Sequence, residues 1–141
     1  MSIIQSGGSV KFEDREWLGM YQLKPYPIWD YARLLTSGMY ERGQYQCLSF
    51  HWRKHLPIGQ GGAILHDDPE ADKWFRKARF HGRTEGVPPL EDMVDTLGWH
   101  CYMRPSDAAD GLMRLSFLPL HNEPLSNEGS ADLSILPVFK K

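Results

Sequence analysis

Asp30, Ser49 and Lys54 supply a carboxylate, a hydroxyl and an amine in an order that could serve carbonyl chemistry. A lysine amine attacks aldehydes and, when released, acts as a base that moves a proton from carbon. A carboxylate can keep a ring nitrogen protonated, and a serine hydroxyl beside backbone N–H groups can hold a phosphate. The run Ser49-Phe50-His51-Trp52-Arg53-Lys54 is followed closely by Gly59-Gln60-Gly61-Gly62. Taken singly, each feature has a plainer reading. Lys54 would be a solvated surface lysine, Asp30 a turn cap, Ser49 a strand-end hydroxyl, and Gly59 to Gly62 a turn between strands. Their order along the chain raises the set above those readings.

Two other chemistries fit less well. Cys47, His51 and His55 invite a zinc reading, but no fourth ligand follows at a natural spacing, so no metal is expected. The basic and aromatic run His51 to His55 could touch phosphates, yet the net charge is −2 and no second basic stripe exists, so no nucleic-acid partner is expected.

The elements that must position these residues follow from periodicity and breakers. Residues 1–10 read as a flexible leader, and 11–141 as one domain whose last part, 119–141, is irregular. Phe12 to Leu23 carries an amphipathic helical pattern, broken by Lys24-Pro25-Tyr26-Pro27. Strands are expected near 26–29, 46–51 and 62–66, with turns at Ser37-Gly38 and Arg42-Gly43. The clearest helix has Asp67 or Asp68 as its cap, Pro69 at its first position and Gly82 beyond its end. Ala71, Trp74, Phe75 and Ala78 give it one apolar face. A second helix is expected from Pro105 to about Phe117, burying Ala108, Ala109, Leu112 and Leu115. The fold class is therefore α/β, a small mixed sheet with flanking helices, and Ser49 to Lys54 lies at a strand end, where sheet ligands bind.

The 141 residues, 41% of them hydrophobic, suit one ordered domain with a core. No apolar run approaches the roughly 18 residues of a spanning helix, so no membrane association is expected. With two cysteines, Cys47 and Cys101, read as small buried residues, a reducing cytoplasm is the expected compartment.

Asp30-x-Ala32, then Ser49-Phe50-His51-x-x-Lys54, then Gly59-x-Gly61-Gly62 and an apolar strand ending in Asp67-Asp68 resembles the DegT/StrS-type aminotransferases. Phe80-His81-Gly82-Arg83, Gly98-Trp99-His100-Cys101-Tyr102-Met103 and Asp132-Leu133-Ser134 extend the likeness over about residues 25 to 139. The resemblance implies part of the large domain of a pyridoxal phosphate (PLP)-dependent fold-type I transferase acting on keto-sugar nucleotides. It implies Lys54 as the lysine that joins the cofactor, Asp30 at the pyridine nitrogen and Ser49 at the phosphate. Ala32, Arg33, His51 and His100 fall at further cofactor-side positions. Arg33 stands where relatives carry His or Gln against the ring, and His100 where they carry Asn reaching the partner subunit's cofactor. Relatives are also far longer, which makes the chain a truncated member on this reading. Self-association, as a dimer, and a complementing N-terminal half are the partners expected. The alternative expectation is a non-catalytic homologue that serves as a folded or partner-binding domain.

Overall fold

The computed structural model describes residues 1–140. Its centre is a four-stranded mixed sheet in the order β1 (Tyr21–Gln22), β2 (Ile28–Asp30), β3 (Tyr45–Ser49) and β4 (Gly62–Leu65). The β2 and β3 strands are parallel, while β1 and β4 pair antiparallel on the two sides. A parallel pair needs a long crossover, usually a helix. Here residues 31–44 make it without one, and left-handed turns at Gly38 and Gly43 fall where the turn signals predicted them.

The expected α/β class and all three predicted strands are present, with ends shifted by one or two residues. The helix expected over Phe12 to Leu23 does not form. Instead Tyr21–Gln22 pairs with Trp29–Asp30, and Trp17 packs its ring on Tyr21 at 4.8 Å. Tertiary pairing overrides a short, weakly periodic helix that has little cooperativity of its own. At the N-terminus, Ser2–Gln5 forms a single helical turn, α1.

The next helix, α2 (Pro69–Arg79), forms as read. Asp68 caps it, accepting from the backbone N–H of Glu70 at 2.9 Å and of Ala71 at 3.1 Å. The other Asp68 oxygen accepts from the Tyr45 hydroxyl at 2.6 Å, so one carboxylate joins α2 to β3. Asp67 does the same for the preceding turn, accepting from the Tyr40 hydroxyl, Arg42 Nε and Gly43 N–H. Phe75 leans on Tyr45 and His66, whereas Trp74, expected in the core, is half exposed.

Beyond α2 the chain returns through residues 98–101, which bond to its end. Trp99 N–H donates to Ala78 O at 2.7 Å and Cys101 N–H to Arg79 O at 2.9 Å. Gly82 and Gly98 meet backbone to backbone at this crossing. A Cβ on Gly82, which is at φ +78, would overlap the Thr96 carbonyl oxygen. Cys101 is exposed and Cys47 only half-buried, unlike the expected burial of both.

The last long helix, α3 (Pro105–Phe117), has the predicted bounds but not the predicted burial. Leu112, Leu115 and Ala109 face solvent, and only Gly111 is buried, against Ile58. The expectation failed because an apolar stripe shows which face seeks a partner, not whether one is present. Residues 119–132 are irregular as read, and two 3-10 turns follow at Leu133–Ile135 and Pro137–Phe139. The core is small: Tyr31, Leu56 and Ala78 are its buried apolar residues among those described.

Two substitutions test this frame. Gly62→Ala places a Cβ onto the Leu48 carbonyl oxygen across the β3–β4 pair, and should cost about 3 kcal/mol in urea unfolding. Asp68→Ala removes the α2 cap and should cost about 1 kcal/mol, with loss of helical circular dichroism.

Candidate functional site

The pairing register sets the site. Asp30 ends β2 opposite Cys47 of β3, and Tyr21 of β1 stands opposite Asp30. Side chains alternate along a strand, so Asp30, Cys47 and Ser49 share one face, with Tyr21 beside them. Ser49 ends β3, and a turn closed by Lys54 N–H donating to His51 O at 2.9 Å brings Lys54 back toward the same edge.

The Asp30 carboxylate is held by the chain itself. One oxygen accepts from the Tyr21 hydroxyl at 2.9 Å and the other from Ala32 N–H at 2.8 Å. Burial, then the adjacent negative charge of Asp30, raise the Tyr21 hydroxyl far above its ordinary value, so it stays a donor. Burial and Asp30 likewise raise the Cys47 thiol, which leaves that sulfur protonated and unreactive at neutral pH.

Lys54 and Ser49 line a small cleft together with Ala32, Leu35, His55 and Leu56. The Lys54 amine lies below the ordinary lysine value, through partial burial first and then the positive charge of Arg33, with Asp30 opposing the shift. A larger neutral fraction makes it a better nucleophile. The buried Nε2 of His55, in the same cleft, has no hydrogen-bond partner among the described residues.

The other expected residues are placed differently. Arg33 lies close enough to Lys54 for its charge to act on the amine, and it donates to Ser126 O and to Ser130 Oγ, binding the segment that follows α3. That segment also ties itself to residues 33–37, through Leu125 N–H to Arg33 O and Asn122 Nδ2 to Leu35 O. His51 is exposed, with its ring beside Trp52. His100 is exposed too, bridged to Phe80 and stacked on Tyr102 at 4.3 Å, and it does not line the lysine cleft. Sequence reasoning missed Tyr21, and weighed His55 only as a metal ligand or a phosphate contact. Tyr21 carried no motif, because its importance comes only from the register that sets it opposite Asp30.

Among the described residues no group of three or more His, Cys, Asp or Glu side chains could hold a metal ion. No helix among them is long and apolar enough to cross a membrane.

A depression of about 550 Å³ lies between Arg15, Trp17, Leu18 and Asn127 and shares no lining residue with the lysine cleft. It is open to solvent and lacks an amine or a converging set of donors. The lysine cleft has the chemistry but only about 10 Å³ of space. That is roughly one water, where sites for organic ligands span about 300–1,000 Å³. The amine, the hydroxyl and the nearby carboxylate match what PLP requires, whereas the room does not. PLP does not fit this closed arrangement.

A small mixed sheet with a partly buried lysine beside a strand-end serine and a fixed aspartate defines an α/β domain built around an amine. Residues 37–124 match the DegT/DnrJ/EryC1/StrS aminotransferase family, and the chain belongs to that family. The matched residues include Ser49, Lys54 and the Gly59–Gly62 turn, while Asp30, Ala32 and Arg33 precede them. Aminotransferases of this family are generally PLP-dependent. No solved structure matches the chain.

The electrostatics give a direct test on the protein alone. In a competitive acylation profile against pH, Lys54 should react at lower pH than the exposed lysines. Arg33→Ala should move its midpoint up, because a repelling positive charge is lost, and Asp30→Asn should move it down. A Lys54 midpoint equal to that of the exposed lysines, unmoved by either change, would contradict this environment.

Proposed function

We propose that this chain carries the lysine-bearing part of a PLP-dependent aminotransferase site for keto-sugar nucleotides, and that in its closed form it is inactive alone. Lys54 would hold the cofactor, Asp30 would face the pyridine nitrogen and Ser49 would hold the phosphate. Ala32, beside Asp30, and His51 and His100 would be cofactor-side neighbours in an assembled site. The observation that carries the reading is the lysine cleft itself: amine and hydroxyl gathered at one strand edge, with space for about one water.

PLP, when bound, supplies an aldehyde for the lysine and an electron sink for the substrate carbon. The chain's own contribution is a partly desolvated amine, and an aspartate fixed by Tyr21 and the Ala32 backbone. An aspartate held on two sides meets a ring nitrogen without reorganising. Leu34 and Leu35 line the cleft, and hydrogen bonds from Asn122 and Leu125 tie their segment to the chain after α3. A complementing chain that displaces residues 119–130 would create the room. The amino acceptor would be read by residues of such a partner.

Titrating the chain with PLP and recording visible absorbance tests the reading. No saturable band is expected for the chain alone at millimolar PLP. A band should appear on mixing with a polypeptide that brings a phosphate-binding helix and a stacking aromatic, and Lys54→Ala should abolish it. A saturable, Lys54-dependent band from the chain alone would overturn the proposal of inactivity. No band in any mixture would overturn the assignment of Lys54.

A further inference from the structure

We propose that the exposed Trp52–Arg53 pair is a docking point for an acidic segment of a partner protein, with carboxylates meeting Arg53 and apolar side chains meeting the Trp52 indole. Trp52 is 61% exposed, and the Arg53 guanidinium sits over its ring, 4.5 Å from the centroid. Stacking uses the flat face of a guanidinium and leaves its in-plane N–H groups, the fork that matches a carboxylate. Among the described residues those N–H groups of Arg53 have no acceptor. Every other arginine there pairs with a carboxylate, except Arg33, which donates to Ser126 O and Ser130 Oγ. Arg53 therefore presents a cation whose bonds within the chain are unmade, held beside an exposed aromatic.

The pair sits on a turn that is already fixed. Lys54 N–H donates to His51 O at 2.9 Å, Phe50 N–H to Gly61 O at 2.9 Å and Ile58 N–H to Phe50 O at 3.1 Å. A partner would thus meet an ordered backbone and lose little in arranging it. Charge says which partner. From Arg42 to His66 the sequence holds no Asp or Glu, while Arg42, Arg53 and Lys54 are basic, so this stretch complements an acidic surface. Neither Trp52 nor Arg53 lines the lysine cleft or the depression beside Arg15. Small ligands take concave sites, whereas Trp and Arg are the side chains that anchor protein interfaces. A nucleic-acid strand needs a longer basic stripe than one turn provides. The inference does not depend on PLP binding.

Titrating the full chain into a fluorescently labelled Glu-rich peptide that also carries leucines, and following anisotropy, tests it. Saturable binding at low salt is expected, weakening as salt rises. Trp52→Ala and Arg53→Ala should each weaken it about 10-fold or more. Arg53→Lys keeps the charge but loses the fork and the stack, and should weaken it too. Lys11→Ala removes the same charge from another exposed site and should leave the affinity unchanged. Circular dichroism should not change, because both turn side chains are exposed; if Trp52→Ala does alter it, Arg53→Ala carries the expectation alone. No binding of the acidic peptide, or binding indifferent to Arg53→Ala, would overturn the proposal. So would equal weakening by Lys11→Ala, or tighter binding of a single-stranded oligonucleotide of the same charge.

Discussion

The parallel pairing of β2 with β3 is the constraint on which the rest of this protein depends. Its register sets Asp30 opposite Cys47 and puts Ser49 two residues further along the same face. Slipping by one residue would turn Asp30 away from Ser49 and Tyr21 together. The pairing continues beyond the strands, with Tyr31 N–H donating to Cys47 O at 2.9 Å, so the backbone is still fixed where the site begins. On the other side of β3, the close approach of Gly62 to Leu48 lets β4 lie flat against it. Asp68 then locks α2 to the start of β3 through Tyr45.

The residues with local signals were legible in the sequence. Asp68, Pro69 and the apolar spacing after them announced α2, and Pro105 announced α3, because caps and proline act within one helical turn. The turns at Gly38 and Gly43 were equally plain, since left-handed backbone favours glycine. Tyr21 was not legible. Its strand is two residues long and exists only because Trp29 and Asp30 lie beside it. Burial was the other failure: Trp74, Leu112 and Leu115 have the pattern of core residues, yet each stays about half exposed or more.

The candidate site divides in the same way. Lys54, Ser49 and Asp30 were named from their order, and the fold brings them to one edge. Their surroundings could not be read from order alone. Arg33, expected on the cofactor side, bonds to Ser126 and Ser130, nearly a hundred residues on in sequence, while its charge still acts on Lys54. His100 belongs to an aromatic cluster with His81, Phe80 and Tyr102 at the end of α2, held there by the crossing of Gly82 and Gly98. Lys54 and Ser49 of the family-like motif thus share a cleft with little free space.

The most direct measurement of this account is the set of short proton–proton distances seen by nuclear Overhauser spectroscopy in solution. Parallel cross-strand contacts between residues 28–30 and 45–47 are predicted, together with contacts from the Lys54 methylenes to the methyl groups of Leu35 and Leu56. An antiparallel pattern between those strands, or a Lys54 side chain with contacts to solvent alone, would contradict it.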